Sequence, residues 1–220
     1  MKTDTDDLIE FLTTVCHRGT NVVPQIVLMG HSTGCQDIVI LLTRPEMKLF
    51  DVFGLILQGA VSDREAFDAA VDVNLSLKEL RDEMATIAVH MQPNEFLPRR
   101  ASLLLGRDGD PITAARFLTL NGKQSEEDLF SSDLSVEYLK KRLGHVNCPV
   151  LLLLSGADEY YPVGVQASIA GANIAQGFSG VVRVEVVKEA NHFLEGKADL
   201  MCKVVAEFVN KFLFVYCVQT

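Results

Sequence analysis

Three residue types that together can open an ester lie in workable order along the chain: Ser32, Asp158 and His192. Ser32 sits in "QIVLMGHSTGCQD", where a G-x-S-x-G pattern formed by Gly30, His31, Ser32, Thr33 and Gly34 follows a short apolar run. A serine hydroxyl at its ordinary pKa is a poor nucleophile, so it needs a neighbouring base and a third group that orients that base. His192, in "VVKEANHFLEG", is the candidate base, and Asp158, in "LLLLSGADEYYP", is the candidate acid behind it. The backbone N–H of Thr33, at the start of the helix expected after the serine, is a candidate donor to an oxyanion, aided by the helix's positive end. Gly30 and Gly34 are the small residues that a tight strand-to-helix turn around Ser32 requires.

Other residues were weighed for the same roles. Asp63 follows the second apolar run and is the alternative acid. His31, inside the turn, is poorly placed to act on Ser32 and is read as packed or solvent-facing. Glu159 is read as solvated, and His17, His90 and His145 as structural. Cys35 is read as a buried small hydrophobe, since no cysteine motif surrounds it. Arg99 and Arg100 are read as a solvated pair that could also meet an anionic substrate. No CxxC or HExxH pattern is present, so neither a metal nor any other cofactor is expected.

The elements that must position these residues are legible as apolar periods. Leu8, Ile9, Leu12 and Val15 have helical spacing over 6–18, with Gly19 as a stop. The runs 26–29, 52–58, 149–154 and 181–187 read as strands of a parallel sheet, the first of them buried on both faces. Helical patterns cover 33–43, 163–175 and 197–213. Strand alternating with helix is the pattern of an α/β fold, and Ser32, Asp158 and His192 each fall just past a strand, where such sheets gather functional loops. Residues 62–147 break the rhythm with helical patterns and prolines. They are expected to form a helical cap inserted into a single domain of residues 1–220, whose core is 1–61 and 148–220.

Composition narrows the function. A chain of 220 residues with a formal net charge of −9 lacks the basic balance of a nucleic-acid or anionic-membrane binder. No segment has the length of an apolar membrane span, and "MKTDTDDLIEF" does not read as a signal peptide. Five cysteines without paired spacing suit a reduced, cytoplasmic setting.

The blocks "GHSTGCQD", "LQGAVSDREAF", "PRRASLL", "PITAARF", "DLFSSDL" and "SGADEYYP" resemble the α/β-hydrolase superfamily, and within it the fungal and plant family that includes fusarinine-type siderophore esterases. That resemblance implies an α/β-hydrolase fold with a mostly parallel sheet flanked by helices. It also implies carboxylic ester hydrolysis of a small-molecule substrate, with Ser32 as nucleophile, Asp158 as acid and His192 as base. In the superfamily several strands and a loop carrying a second oxyanion donor precede the nucleophile, and here Ser32 follows the first strand that can be read. The expectation is therefore an N-terminally truncated fold in which the Ser32 strand forms a raw sheet edge, prone to self-association. Loss of one oxyanion donor lowers turnover by about 10²- to 10³-fold. The competing expectation is a weakly active or inactive protein that acts through that edge. A thioesterase or acyltransferase would use the same residues.

Overall fold

Four apolar segments pair in parallel in the order β1-β2-β3-β4, each strand beside its neighbour in sequence. They are β1 (Gln25–His31), β2 (Asp51–Gln58), β3 (Val150–Ser155) and β4 (Val182–Val187). The computed structural model describes residues 4–16, 23, 25–72, 74–105 and 110–213. The expected helix stop at 17–19 lies outside the described residues.

In chain order the helices are α1 (Asp4–Cys16), α2 (Gly34–Leu41), α3 (Asp63–Asp72), α4 (Leu75–Ala88), α5 (Ala114–Asn121), α6 (Val136–Leu143), α7 (Ala167–Ala175) and α8 (Ala198–Phe208). By Cα proximity the chain forms two compact units. One holds the sheet, with residues 2–60, 132–159 and 165–220; the other is helical, with 61–131 and 160–164. The helical insertion anticipated over 62–147 thus overlaps the 61–131 segment of the helical unit, while α6 groups with the sheet.

The sheet unit is built as its sequence periods require. β3, "VLLLLS", is buried at every residue because it lies between β2 and β4 and both faces carry helices. On one face Ile56, Leu151, Leu153 and Val187 pack against Val204 and Phe208 of α8. Leu12 of α1 and Leu41 of α2 pack with Met47, Phe50, Ile26, Leu28 and Val52. Gly171 lets α7 approach closely, since a Cβ there would stand 2.6 Å from Leu154 Cδ1.

β1 departs from the expectation of a strand buried on both faces. Among the described residues it pairs with β2 alone, and in its burial pattern only Gly30 is fully covered. Met29 lies in register with Ile56, yet Met29 is 48% exposed and Val27 38%, while Ile56 is 3%. An apolar run specifies a strand but not which of its flanks will be occupied.

In the helical unit, α3, α4 and α5 enclose Phe67, Met84, Leu97, Ile112 and Phe117. The Phe67 and Phe117 rings meet edge-on with centroids 6.3 Å apart. Asn74 and Thr113 cap α4 and α5 by accepting from the N–H groups of Leu77 and Arg116. A buried polar cluster joins the unit's ends: Ser62 Oγ lies 2.5 Å from Ser131 Oγ, Ser131 donates to Asp128, and Arg64 donates to Asp128 at 3.2 Å. The "VSDRE" and "DLFSS" blocks thus supply Ser62, Arg64, Asp128 and Ser131 to this network.

Among the described cysteines, Cys16, Cys35, Cys148 and Cys202 are free thiols. Burial pushes the Cys148 thiol up to about 11, whereas Cys202 is exposed. Because the thiolate is the reactive form, alkylation of the folded protein near neutral pH is expected to modify Cys202 and spare Cys148. Peptide mapping checks this, and equal modification of the two would contradict it.

Candidate active site

Ser32 stands at the end of β1 with φ 54°, in the left-handed region that L-residues other than glycine seldom adopt. Such a conformation costs on the order of 1–3 kcal/mol and persists only where the surroundings impose it. They do so here. The Ser32 N–H donates to the Gln58 carbonyl at 3.0 Å, and the Ser32 carbonyl accepts from Cys35 N–H at 2.8 Å as the chain turns into α2. Ser32 itself is half-buried.

Close approach of β1 to α2 depends on Gly30. A Cβ at Gly30 would lie 2.3 Å from the Gly34 carbonyl oxygen and 2.8 Å from Cys35 N. Gly34 does not share that constraint, since a Cβ there meets nothing within 4 Å, so the expected need for two small residues reduces to one. Thr33 is the N-cap of α2. Its N–H is among the first-turn amides with no partner four residues back in the helix, the class of donor an oxyanion needs. Cys35 is fully buried, its thiol 3.3 Å from both the Gly30 and Gln58 carbonyls, as suits a packing residue.

Asp158 follows β3 and His192 follows β4, and the two are brought together. His192 Nδ1 lies 2.8 Å from Asp158 Oδ2, with the histidine 2% and the aspartate 7% exposed. A buried carboxylate at Nδ1 keeps the proton there and leaves Nε2 as the nitrogen able to accept another. The Asp158 loop is fixed to the His192 side through Gly156 N–H to the Val187 carbonyl at 2.8 Å and Ala157 N–H to the Ala190 carbonyl at 3.0 Å. Asp63, the alternative acid, opens α3 in the helical unit; the carboxylate at Nδ1 of His192 is that of Asp158.

β1 and β4 lie at opposite margins of the sheet, and His192, which follows β4, reaches past β3 to the end of β2. The Gln58 side-chain amide donates to the His192 carbonyl at 3.0 Å, and the backbone carbonyl of the same Gln58 accepts from Ser32. Gly59, with φ 62°, lets the imidazole lie against the chain; a Cβ there would stand 3.0 Å from His192 Cε1. Glu159, read as solvated, is exposed but accepts from the His192 N–H at 2.9 Å.

His31 is exposed and packed, as expected, and its neighbours are informative. Its ring centroid lies 4.8 Å from that of His192 and 5.4 Å from that of Phe193. Phe193 meets His192 edge-on at 5.3 Å and is 59% exposed, giving that imidazole one aromatic flank open to solvent. His145 is structural, its Nε2 lying 3.1 Å from the Val39 carbonyl, and His90 is exposed. Arg100 pairs with Glu83. His17 lies outside the described residues. Among the described residues no group of three or more histidine, cysteine or acidic side chains could hold a metal, and no helix is long and apolar enough to cross a membrane.

The chain has recognisable relatives. The fusarinine C esterase sidJ of Aspergillus fumigatus is 33% identical over 178 residues, covering 64% of this chain and 50% of that protein. Esterase AN6793 of Emericella nidulans is 27% identical over 187 residues, again 50% of its own length. The chain thus spans about half the length of these curated relatives. Among solved structures, the siderophore hydrolase EstB from Aspergillus fumigatus matches with a TM-score of 0.73 at 24% identity, over 95% of this chain and 75% of that one. The monoacylglycerol lipase of Paleococcus ferrophilus matches with a TM-score of 0.54 at 15% identity, over 94% and 76% respectively. These likenesses give the sheet and its helices the α/β-hydrolase fold. The family profile described as "Protein of unknown function (DUF1749)" matches residues 1–213, and with nearly the whole chain inside it, this protein is a member of that family.

Proposed function

We propose that the chain is a serine hydrolase that cleaves a carboxylic ester through Ser32, His192 and Asp158. The observation that carries this reading is the buried 2.8 Å pair of Asp158 and His192, linked through Gln58 to a Ser32 held at positive φ. Ser32 Oγ attacks the ester carbonyl as His192 Nε2 takes its proton, and Asp158 stabilises the imidazolium that forms. The Thr33 N–H donates to the oxyanion of the tetrahedral intermediate. Collapse expels the alcohol, which receives the proton from His192 and leaves an acyl-Ser32 ester. Water, deprotonated by the same histidine, then releases the acid and restores the serine. No step needs a cofactor or metal. To the helical insertion we assign substrate selection.

Two of the similar proteins are named for fusarinine C and for siderophores, so ester siderophores of the fusarinine type are the first substrate class to assay, beside simple aryl esters. Hydrolysis by the purified chain, lost with Ser32, supports the reading; a stably folded chain that cleaves neither class counts against it. Asp158→Asn is expected to lower kcat on the order of 10³- to 10⁴-fold while leaving the fold intact, because the amide no longer fixes the Nδ1–H tautomer. A loss below about tenfold in steady-state assays would place the acid elsewhere, with Asp63 the next to test.

A second reading is favoured by the exposed margin of β1. Val27 and Met29 are exposed there, and among the described residues β1 pairs with β2 alone, the form of edge that adds a further strand. On that reading the protein acts by strand pairing, self-association included. Concentration-dependent sedimentation with and without Met29→Lys separates the two, since a charge on the edge abolishes pairing and leaves ester cleavage unaltered.

A further inference from the structure

We infer that Gln58 is a positioning residue for the base, the part that registers His192 against the Ser32 turn. The inference rests on the serine-hydrolase reading and adds to it a residue that takes no proton and touches no reacting atom. Three features converge on it. Gln58 is 5% exposed at the end of β2, so its side chain is committed to an internal partner. Its Nε2 donates to the His192 carbonyl at 3.0 Å, across 134 residues of sequence. Its own carbonyl accepts from the Ser32 N–H at 3.0 Å. One residue therefore touches the backbone of both the nucleophile and the base, and fixes their separation independently of the substrate.

The rest of the His192 environment closes around the same arrangement. Asp158 fixes the ring at Nδ1, Glu159 accepts the backbone N–H at 2.9 Å, and Gln58 satisfies the backbone carbonyl. Gly59 next to Gln58 leaves no room for a side chain against the ring, since the notional Cβ would stand 3.0 Å from Cε1 and 3.2 Å from Nδ1, tighter than van der Waals contact. Orientation by Asp158 sets which way the imidazole points; Gln58 sets where it stands. Because His192 belongs to a loop after β4, at the far margin of the sheet from β1, its backbone as well as its ring must be held for Nε2 to serve Ser32. The amide must present nitrogen rather than oxygen to the carbonyl, which is why glutamine and not glutamate suits the position.

Gln58→Leu removes the donor and keeps the backbone bond to Ser32. It is expected to lower kcat about tenfold, the rate equivalent of one buried hydrogen bond, with KM changed less than about twofold. Gln58→Glu carries the donor only while its carboxyl is protonated. Its loss should deepen as pH rises and lessen toward the acid side, a pH dependence the leucine variant lacks. This variant also serves where leucine does not fold. A second readout is independent of turnover: solvent exchange of the His192 Nδ1 proton, followed by NMR, is expected to quicken in both variants relative to wild type. Unaltered kcat, pH profile and proton exchange in the folded variants would overturn the role of Gln58. Quickened exchange in a chain with no Ser32-dependent hydrolysis would retain Gln58 as the tether and reject the hydrolase reading instead.

Discussion

Ser32→Ala is expected to lower ester hydrolysis on the order of 10⁶-fold if the triad works as a unit and at least about 10³-fold if it is impaired. The argument is chemical: alanine leaves His192 with no proton to accept and the substrate with no nucleophile. The argument against mere unfolding is structural. The bonds that hold the turn are made by the Ser32 backbone, N–H to Gln58 and carbonyl to Cys35 N–H, and alanine retains both. Ser32→Gly sharpens the test. At φ 54° glycine relieves the left-handed strain, so the variant should be as inactive as alanine yet more stable by about 1 kcal/mol. Denaturant midpoints and initial rates, measured together, check both halves. A catalytic position that costs stability is what this pair of results would demonstrate; an active Ser32→Ala would end the account of this residue.

Gly30→Ala is expected to destabilise the fold by about 3 kcal/mol or more, a large share of the roughly 5–15 kcal/mol that holds a domain together. The new Cβ would meet the Gly34 carbonyl oxygen at 2.3 Å, the Gly34 carbonyl carbon at 2.6 Å and Cys35 N at 2.8 Å. All three are backbone atoms, so no side-chain rotation relieves the contact and α2 itself must move. That helix carries Cys35 and Leu41, both wholly buried, and its displacement would open the core and move the Thr33 N–H. Gly34→Ala is the internal control. With open space around its Cβ and a helical backbone, it should stay within about 1 kcal/mol of wild type. Urea unfolding of the two variants reads the contrast directly. Equal stability of both would mean that the strand and helix do not approach as described.

The sequence was informative where chemistry imposes local pattern. Four apolar runs became four parallel strands, and Ser32, Asp158 and His192 each lie just past a strand. What it left open concerns neighbours distant in the chain. The run at 26–29 looks buried on both faces because its residues are apolar, but Met29 is exposed where the in-register Ile56 is covered. Glycine spacing around Ser32 implies two tight positions, whereas only Gly30 is crowded, since that depends on which way each Cα–Cβ bond would point. Gln58 and Glu159 carry no motif at all. Their importance arises from contacts to His192 spanning 134 and 33 residues, which no periodicity encodes. The insertion was legible as helical, but its limit at Ser131 reflects tertiary proximity rather than any break in composition.

The central claim is that Ser32 is a nucleophile activated by His192 within this chain. Treatment of the folded, purified protein with a fluorophosphonate, followed by peptide mapping, tests it without choosing a substrate. The account predicts one phosphonylated residue, Ser32, with no adduct in Ser32→Ala and labelling slowed by orders of magnitude in His192→Ala. A folded wild-type chain that takes up no label, or takes it up on another residue, would contradict it.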